Sequence, residues 1–112
     1  MLDLQHLKTF MVVATTKNFT RAADELDYSQ SSVTHHIKGL ERELGVRLFN
    51  RFRFTRTVVL TDAGGRIYEY AARLLALAEE TKAAAQRKEK RAGRKRDATN
   101  EKVLADFART SR

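Results

Sequence analysis

A mainly α-helical fold, with three short helices and a β-hairpin ahead of one long helix, is predicted by three observations. Apolar residues recur at spacings of three and four over residues 4–16 and again over 30–44. A stretch rich in β-branched and aromatic residues, 47–61, interrupts that rhythm. A second run of three-and-four spacing then extends over 67–85. The chain has no proline, and its five glycines stand at 39, 45, 64, 65 and 93, so few residues oppose helix formation. No internal repeat is evident.

The elements follow in chain order. Leu4, Leu7, Met11 and Ala14, with Phe10 alongside, predict an amphipathic helix over 4–16. Lys17-Asn18 breaks it. Thr20 is the expected N-cap of a short helix, Arg21 to Leu26, with Ala22, Ala23 and Leu26 facing inward. After a tight connection at Asp27-Tyr28, Ser29 caps a third helix over 30–44. Its inner face is Val33, Ile37, Leu40 and Leu44, and Gly45 suits a left-handed C-cap. Leu48, Phe49, Phe52, Phe54, Val58, Val59 and Leu60 predict a two-stranded hairpin over about 47–61. Its turn lacks Asn-Gly or any glycine, so an irregular loop is expected there. Thr61 or Asp62 then caps the long helix.

On that long helix Ile67, Ala71, Leu74, Ala78, Thr81 and Ala85 form a heptad-like seam of small residues, suited to close pairing with a second helix. The alternative is the inner face of a helix lying on its own domain. A small head cannot cover a helix of roughly 35 Å at 1.5 Å per residue, which favours pairing. Residues 87–96, RKEKRAGRKR, carry seven basic side chains and one acid, so the helix is expected to fray there. Asn100 is positioned to cap a short terminal helix bearing Val103, Leu104 and Phe107. The chain thus divides into a head (1–61), a linker or dimerisation helix (62–90) and a basic tail (91–112).

Composition narrows the function. At 112 residues with 42% hydrophobic side chains, one modest core is expected, and a large enzyme with an enclosed pocket is not. The absence of cysteine excludes disulfides and thiolate metal sites. The N-terminus MLDLQHLKTF does not read as a secretory signal, and no stretch approaches the roughly 20 apolar residues of a membrane span. A soluble intracellular protein without membrane association is the expectation. The formal charge of +8 favours a polyanionic partner. Residues 1–86 hold 12 Lys/Arg against 10 Asp/Glu, a net of +2, whereas 87–112 hold 10 against 4, a net of +6. Charge alone therefore says little about the head, and the case rests on pattern.

Two short helices joined by a tight turn can present the second to the major groove of DNA while the first braces it. Ala22 and Ala23 permit the close crossing. The outer face at the start of the second carries Gln30, Ser31, Thr34, His35 and Lys38, with Ser32 beside them. Glutamine can pair with adenine, Ser and Thr with either base type or phosphate, and His can donate to guanine. The bland alternative, a merely solvated face, would more commonly hold Glu and Lys. Acids appear only later, at Glu41 and Glu43. The hairpin carries Arg47, Arg51, Arg53 and Arg56 with no acid over 45–61. That suits a wing touching phosphates or a narrow minor groove; the alternative is a charged edge that discourages aggregation. The fold class predicted is therefore a winged helix-turn-helix, a three-helix head plus two-stranded wing, followed by a long linker helix.

Other chemistries find little support. His6, His35 and His36 suggest a metal, but adjacent helical residues point about 100° apart and nothing completes a ligand set. Nucleophile elbow, phosphate loop and paired inward carboxylates are all missing from the sequence. Neither metal, cofactor nor catalysis is expected.

The run FTRAADELDYSQSSVTHHIKGLERELGVRLFNR, followed by LTDAGG, closely resembles the N-terminal DNA-binding domain of LysR-type transcriptional regulators. The match runs through Leu7, Phe10, Val13, Ala14, Ala22, Ala23, Leu26, Ser29, Gln30, Ile37, Leu40, Glu41, Leu44, Gly45, Leu48, Phe49, Arg51, Leu60, Thr61, Ala63 and Gly64. It covers residues 2 to about 86. The resemblance implies that Gln30, Ser31, Thr34 and His35 approach bases or phosphates, and Ser32 and Lys38 are expected beside them on the recognition helix. It places Thr20, Arg21 and Ser29 at the DNA backbone, with Arg51, Arg53 and Arg56 on the wing. It also implies a homodimer through the linker helix, an interrupted palindrome in double-stranded DNA, and a place in the bacterial cytoplasm at the nucleoid. Thr34 stands where the family commonly has Ser, and His35 where it commonly has Arg. The wing is about two residues longer than usual, which leaves open whether Arg53 or Arg56 takes the tip. Family members continue into a large α/β effector-binding domain. Residues 87–112 do not resemble its start, so the expected form lacks that domain, and a small-molecule inducer is not inferred.

Three functions compete. The first is a sequence-specific dimeric regulator. The second is a dimerisation module that antagonises full-length relatives. The third is a non-specific DNA binder driven by the basic tail, which predicts a steep salt dependence.

Overall fold

The computed structural model describes residues 1–51 and 57–90. Four helices and two strands follow one another as α1 (Leu4–Thr16), α2 (Phe19–Leu26), α3 (Gln30–Leu44), β1 (Phe49–Arg51), β2 (Val58–Leu60) and α4 (Asp62–Lys90). This is the expected three-helix head, two-stranded wing and long helix. Among the described residues no helix is long and apolar enough to cross a membrane.

Caps account for most of the boundaries. Asp3 precedes α1, and its carboxylate accepts from the Gln5 and His6 backbone N–H groups. The Gln5 bond is the main reason its carboxyl lies below the usual range. Ser29 caps α3 by accepting from the Ser32 N–H. Gly45 closes α3 at φ 72° and returns its N–H to the Glu41 carbonyl, the left-handed geometry that glycine adopts without steric cost. The start of α2 differs from expectation. Asn18, not Thr20, is its N-cap and accepts from the Arg21 N–H; Thr20 lies in the first turn. Both residue types can cap, and the extended backbone falls at Asn18.

The core gathers α1, α2, α3, the wing strands and the first turns of α4. Leu7, Phe10, Val13, Ala22, Ala23, Val33, Ile37, Leu40, Leu48, Phe49, Val58 and Ala71 are all buried. Phe10 sits at its centre, 5.4 Å from the Phe49 ring and 6.4 Å from that of Tyr68. The α1 stripe is rotated from the expected one. Leu4 is 47% exposed while Thr9 is fully buried. A buried hydroxyl is tolerated because the His36 ring satisfies it at 2.8 Å.

The strands pair antiparallel, Phe49 with Leu60 and Arg51 with Val58. The turn between α1 and α2 extends this ribbon: Asn18 bridges Thr57, and Val58 N–H donates to the Lys17 carbonyl. Residues 52–56, which include the expected irregular turn, lie outside the described residues.

The junction into α4 explains why Thr61 and Gly64 stand where they do. Thr61 Oγ1 donates to the Arg47 carbonyl and accepts the Gly64 N–H, capping the helix. The Leu48 carbonyl meanwhile accepts the Thr61 N–H. A β-carbon on Gly64 would stand 2.2 Å from that Leu48 oxygen and 3.0 Å from the Leu60 side chain. Gly64→Ala is therefore expected to cost about 1–3 kcal/mol through backbone displacement. Gly65→Ala, with nothing within 4 Å, should be neutral or slightly stabilising, since alanine favours helix. Urea unfolding of the two variants measures the contrast.

The chain forms one compact unit over Met1–Ala78 and a second from Glu79. Arg87 to Lys90, where fraying was expected, are helical. The tail over 91–112, with its expected terminal helix, lies outside the described residues.

Candidate nucleic-acid interface

Helix α3 turns its apolar stripe inward and leaves the opposite face open. Gln30, Ser31, Thr34, His35 and Lys38 together line an open depression on that face. Five of the six expected recognition-helix residues are thus brought together. Ser32 is not among them. It is half-buried and its hydroxyl accepts from Ser29 Oγ, so it belongs to the cap. Two positions separate it from Gln30, about 200° around the helix, which turns it away from the outer face.

Ser29 and Ser31 hydroxyls lie 3.3 Å apart at the start of α3, beside backbone N–H groups that a helix leaves unpaired. Gln30 Nε2 donates to Thr20 Oγ1 across the turn. The expected backbone contacts Thr20, Arg21 and Ser29 are all exposed. Arg51 is in β1; Arg53 and Arg56 lie outside the described residues.

Behind this face sits an aromatic cluster that the sequence does not announce. His35 is exposed, but His36 points between α1 and α3. Its ring stacks on His6 at 4.7 Å and 28°, and meets Tyr28 edge-on at 5.3 Å. Gly39 allows His6 this close, since a β-carbon there would lie 3.2 Å from the His6 ring. The two adjacent histidines therefore diverge, one outward and one inward. Among the described residues no group of three or more His, Cys, Asp or Glu could hold a metal ion.

Burial holds His36 below the ordinary histidine value of 6.5, and the neighbouring His6 and His35 add to this; Asp3 acts in the opposite sense. The folded chain thus takes up this proton less readily than the unfolded chain. Its contribution to stability is complete above pH 6.5 and is lost as pH falls through the lower folded value. The thermal midpoint should accordingly fall between pH 7.5 and pH 5. In His36→Asn, which keeps a polar atom near Thr9, the fall should be shallower. An equal slope in both proteins would assign the effect to other groups.

Glu41 has a structural role that its position in the sequence does not signal. Its Oε2 accepts the Leu48 N–H at 2.8 Å, fastening the approach to the wing onto the end of α3.

On α4 the expected pairing seam divides. Ala71 is fully buried and Ile67 packs against the same core, so the head already covers both. Leu74 is 40% exposed, Ala78 half-buried, and Thr81 and Ala85 exposed. The large exposed apolar side chains are Tyr70, Leu74 and Leu77, spaced four and three along the helix. The six positions share one face, since Leu74 is seven residues and only about 20° of rotation from Ile67; what changes along the seam is burial, which is complete at Ala71 and falls away toward Thr81 and Ala85.

Comparison with known proteins follows the same lines. Residues 4–65 match the family model for the bacterial regulatory helix-turn-helix protein, lysR family. The HTH-type transcriptional regulator YwqM of Bacillus subtilis is 45% identical over 83 residues, which are 74% of this chain and 28% of that protein. BudR of Klebsiella aerogenes, an HTH-type transcriptional regulator, is 45% identical over 78 residues, 70% of this chain and 53% of its own. Among solved structures, the BenM_DBD/benA site 1 DNA complex superposes with a TM-score of 0.71 at 35% identity, covering 77% of this chain and 98% of that one. The CbnR_DBD-DNA complex does so at 0.72 and 35%, covering 76% and 95%. The chain spans between a quarter and about half the length of these two curated relatives. It belongs to the LysR family of bacterial helix-turn-helix regulators.

Proposed function

We propose that this protein binds a specific site in double-stranded DNA and regulates transcription, reading bases with the outer face of α3. The observation that carries this reading is the convergence of Gln30, Ser31, Thr34, His35 and Lys38 on one open face. These side chains offer donors and acceptors of base-reading length, and among the described residues no carboxylate lines that depression. The positive end of the α3 dipole, at its Ser29-capped start, adds attraction for phosphate. DNA complexes of the similar BenM and CbnR domains support the same reading. Arg51, Arg53 and Arg56 serve the wing in this reading, and Thr20, Arg21 and Ser29 the DNA backbone.

The protein acts as a homodimer through α4. The exposed run Tyr70, Leu74 and Leu77 supports this, with Thr81 and Ala85 continuing on the helix. Two copies related by a two-fold axis match a DNA site with the same symmetry, an interrupted palindrome. A protein with this task works where the bacterial chromosome is.

Selection of bound sequences from random DNA, at two salt concentrations, tests the reading. An enriched pattern with two related halves is expected at both. A pool that stays random while binding weakens steeply with salt would instead favour backbone attraction by the basic residues of 87–112. Leu74→Lys should shift the chain from dimer to monomer in sedimentation without loss of helical signal.

A further inference from the structure

The bond between Thr20 and Gln30 bears on which base the protein prefers. It rests on the reading of α3 given above. A glutamine amide carries two N–H donors on Nε2 and one acceptor, Oε1. Unrestrained, it can pair with adenine through one donor and the acceptor. It can also turn its NH2 group toward guanine, whose N7 and O6 are both acceptors, and use both donors. The two modes differ in how many donors are free.

In this structure one donor is already committed. Gln30 Nε2 donates to Thr20 Oγ1, from the first residue of α3 to the first turn of α2. Neither end of the bond is loosely placed. The Asn18 cap fixes the backbone of α2 around Thr20, and the Ser29 cap fixes that of α3 around Gln30. Both side chains are exposed on the surface, so DNA can reach them without rearrangement of the core.

We propose that Thr20 is a positioning residue for base reading by Gln30. By holding one Nε2 proton it leaves a single donor beside Oε1, a pair that fits adenine and excludes the two-donor mode for guanine. The Thr20 hydroxyl proton is left to donate to a neighbouring phosphate oxygen. Grip on the backbone and choice of base are thereby linked through one hydroxyl.

Binding of the full chain to the selected duplex, altered one base pair at a time, tests this. Gln30→Ala marks the position that Gln30 reads, expected to be an adenine. Thr20→Val has nearly the same shape without the hydroxyl. It should lower the adenine-over-guanine preference at that position by about tenfold, chiefly by gain of guanine binding, and leave other positions unchanged. Thr20→Ser should restore the preference, and Thr20→Val should add nothing to Gln30→Ala. Uniform weakening on every sequence by Thr20→Val, with the preference intact, would reduce Thr20 to a phosphate contact and overturn the proposal while leaving Gln30 as a reader. If Gln30→Ala alters no position, both the proposal and the base-reading role of Gln30 fail.

Discussion

Phe10→Ala should remove most of the stability of the head. The side chain is fully buried and its ring meets Phe49 of the wing and Tyr68 of α4. Truncating such a ring costs about 3–5 kcal/mol, from lost transfer energy and the cavity left behind. Small domains hold only about 5–15 kcal/mol in total. At about 4 °C per kcal/mol or more for a head of this size, the midpoint should drop by at least about 12 °C. The effect should not be local. Phe10 is the residue through which α1, the wing and α4 share one core, so DNA binding and pairing should fail together as the head unfolds. Leu4→Ala on the same helix removes a side chain that is 47% exposed and should cost no more than about 0.5 kcal/mol. Calorimetry on the two variants separates a core position from a surface one.

Ser31→Glu should act on binding and stability in opposite directions. Ser31 is exposed in the first turn of α3, on the face proposed to meet DNA. A carboxylate near a helix N-terminus is favoured by the helix dipole, so folding should be unchanged or firmer by about 0.3–1 kcal/mol. The same carboxylate set against phosphates and base acceptors is repelled. Like charges brought together in an interface cost several kcal/mol, which corresponds to a loss of affinity of about 100-fold or more on every sequence. Ser31→Gln, uncharged and of similar length, should lose far less. Equal loss in both variants would point to steric obstruction. No loss in either would mean that this face is not against DNA.

Much of this molecule was legible in its sequence, for identifiable reasons. The limits of α1 and α3 follow from apolar spacing, and at α3 from Ser29 and Gly45 as well; the structure agrees at every end. Ala22 and Ala23 are buried where the helix crossing needs small residues. The outer face of α3 was readable because its inner stripe was, and a helix turns the remaining residues outward.

What could not be read depended on partners distant in sequence. Thr20 and Asn18 both suit a cap, and only the fold reveals that Thr20 is occupied by Gln30. His36 looks like its neighbour His35 until His6, Thr9 and Tyr28 surround it. Glu41 reads as one more surface acid, although it holds the Leu48 amide seven residues on. On α4 the sequence marks one face but not how far along it the core reaches, because small residues such as Ala71 serve close packing on a head as well as pairing between helices. Here Ile67 and Ala71 pack on the core of the head, whereas Tyr70, Leu74 and Leu77 are exposed.

The proposed interface places the outer face of α3 against DNA. Amide chemical shifts of the isotope-labelled full chain, followed as the selected duplex is added, test it most directly. The largest changes are expected on Gln30, Ser31, Thr34, His35 and Lys38, with Thr20 and Arg21 beside them. Changes confined to residues 87–112, with the amides of α3 unmoved, would contradict it.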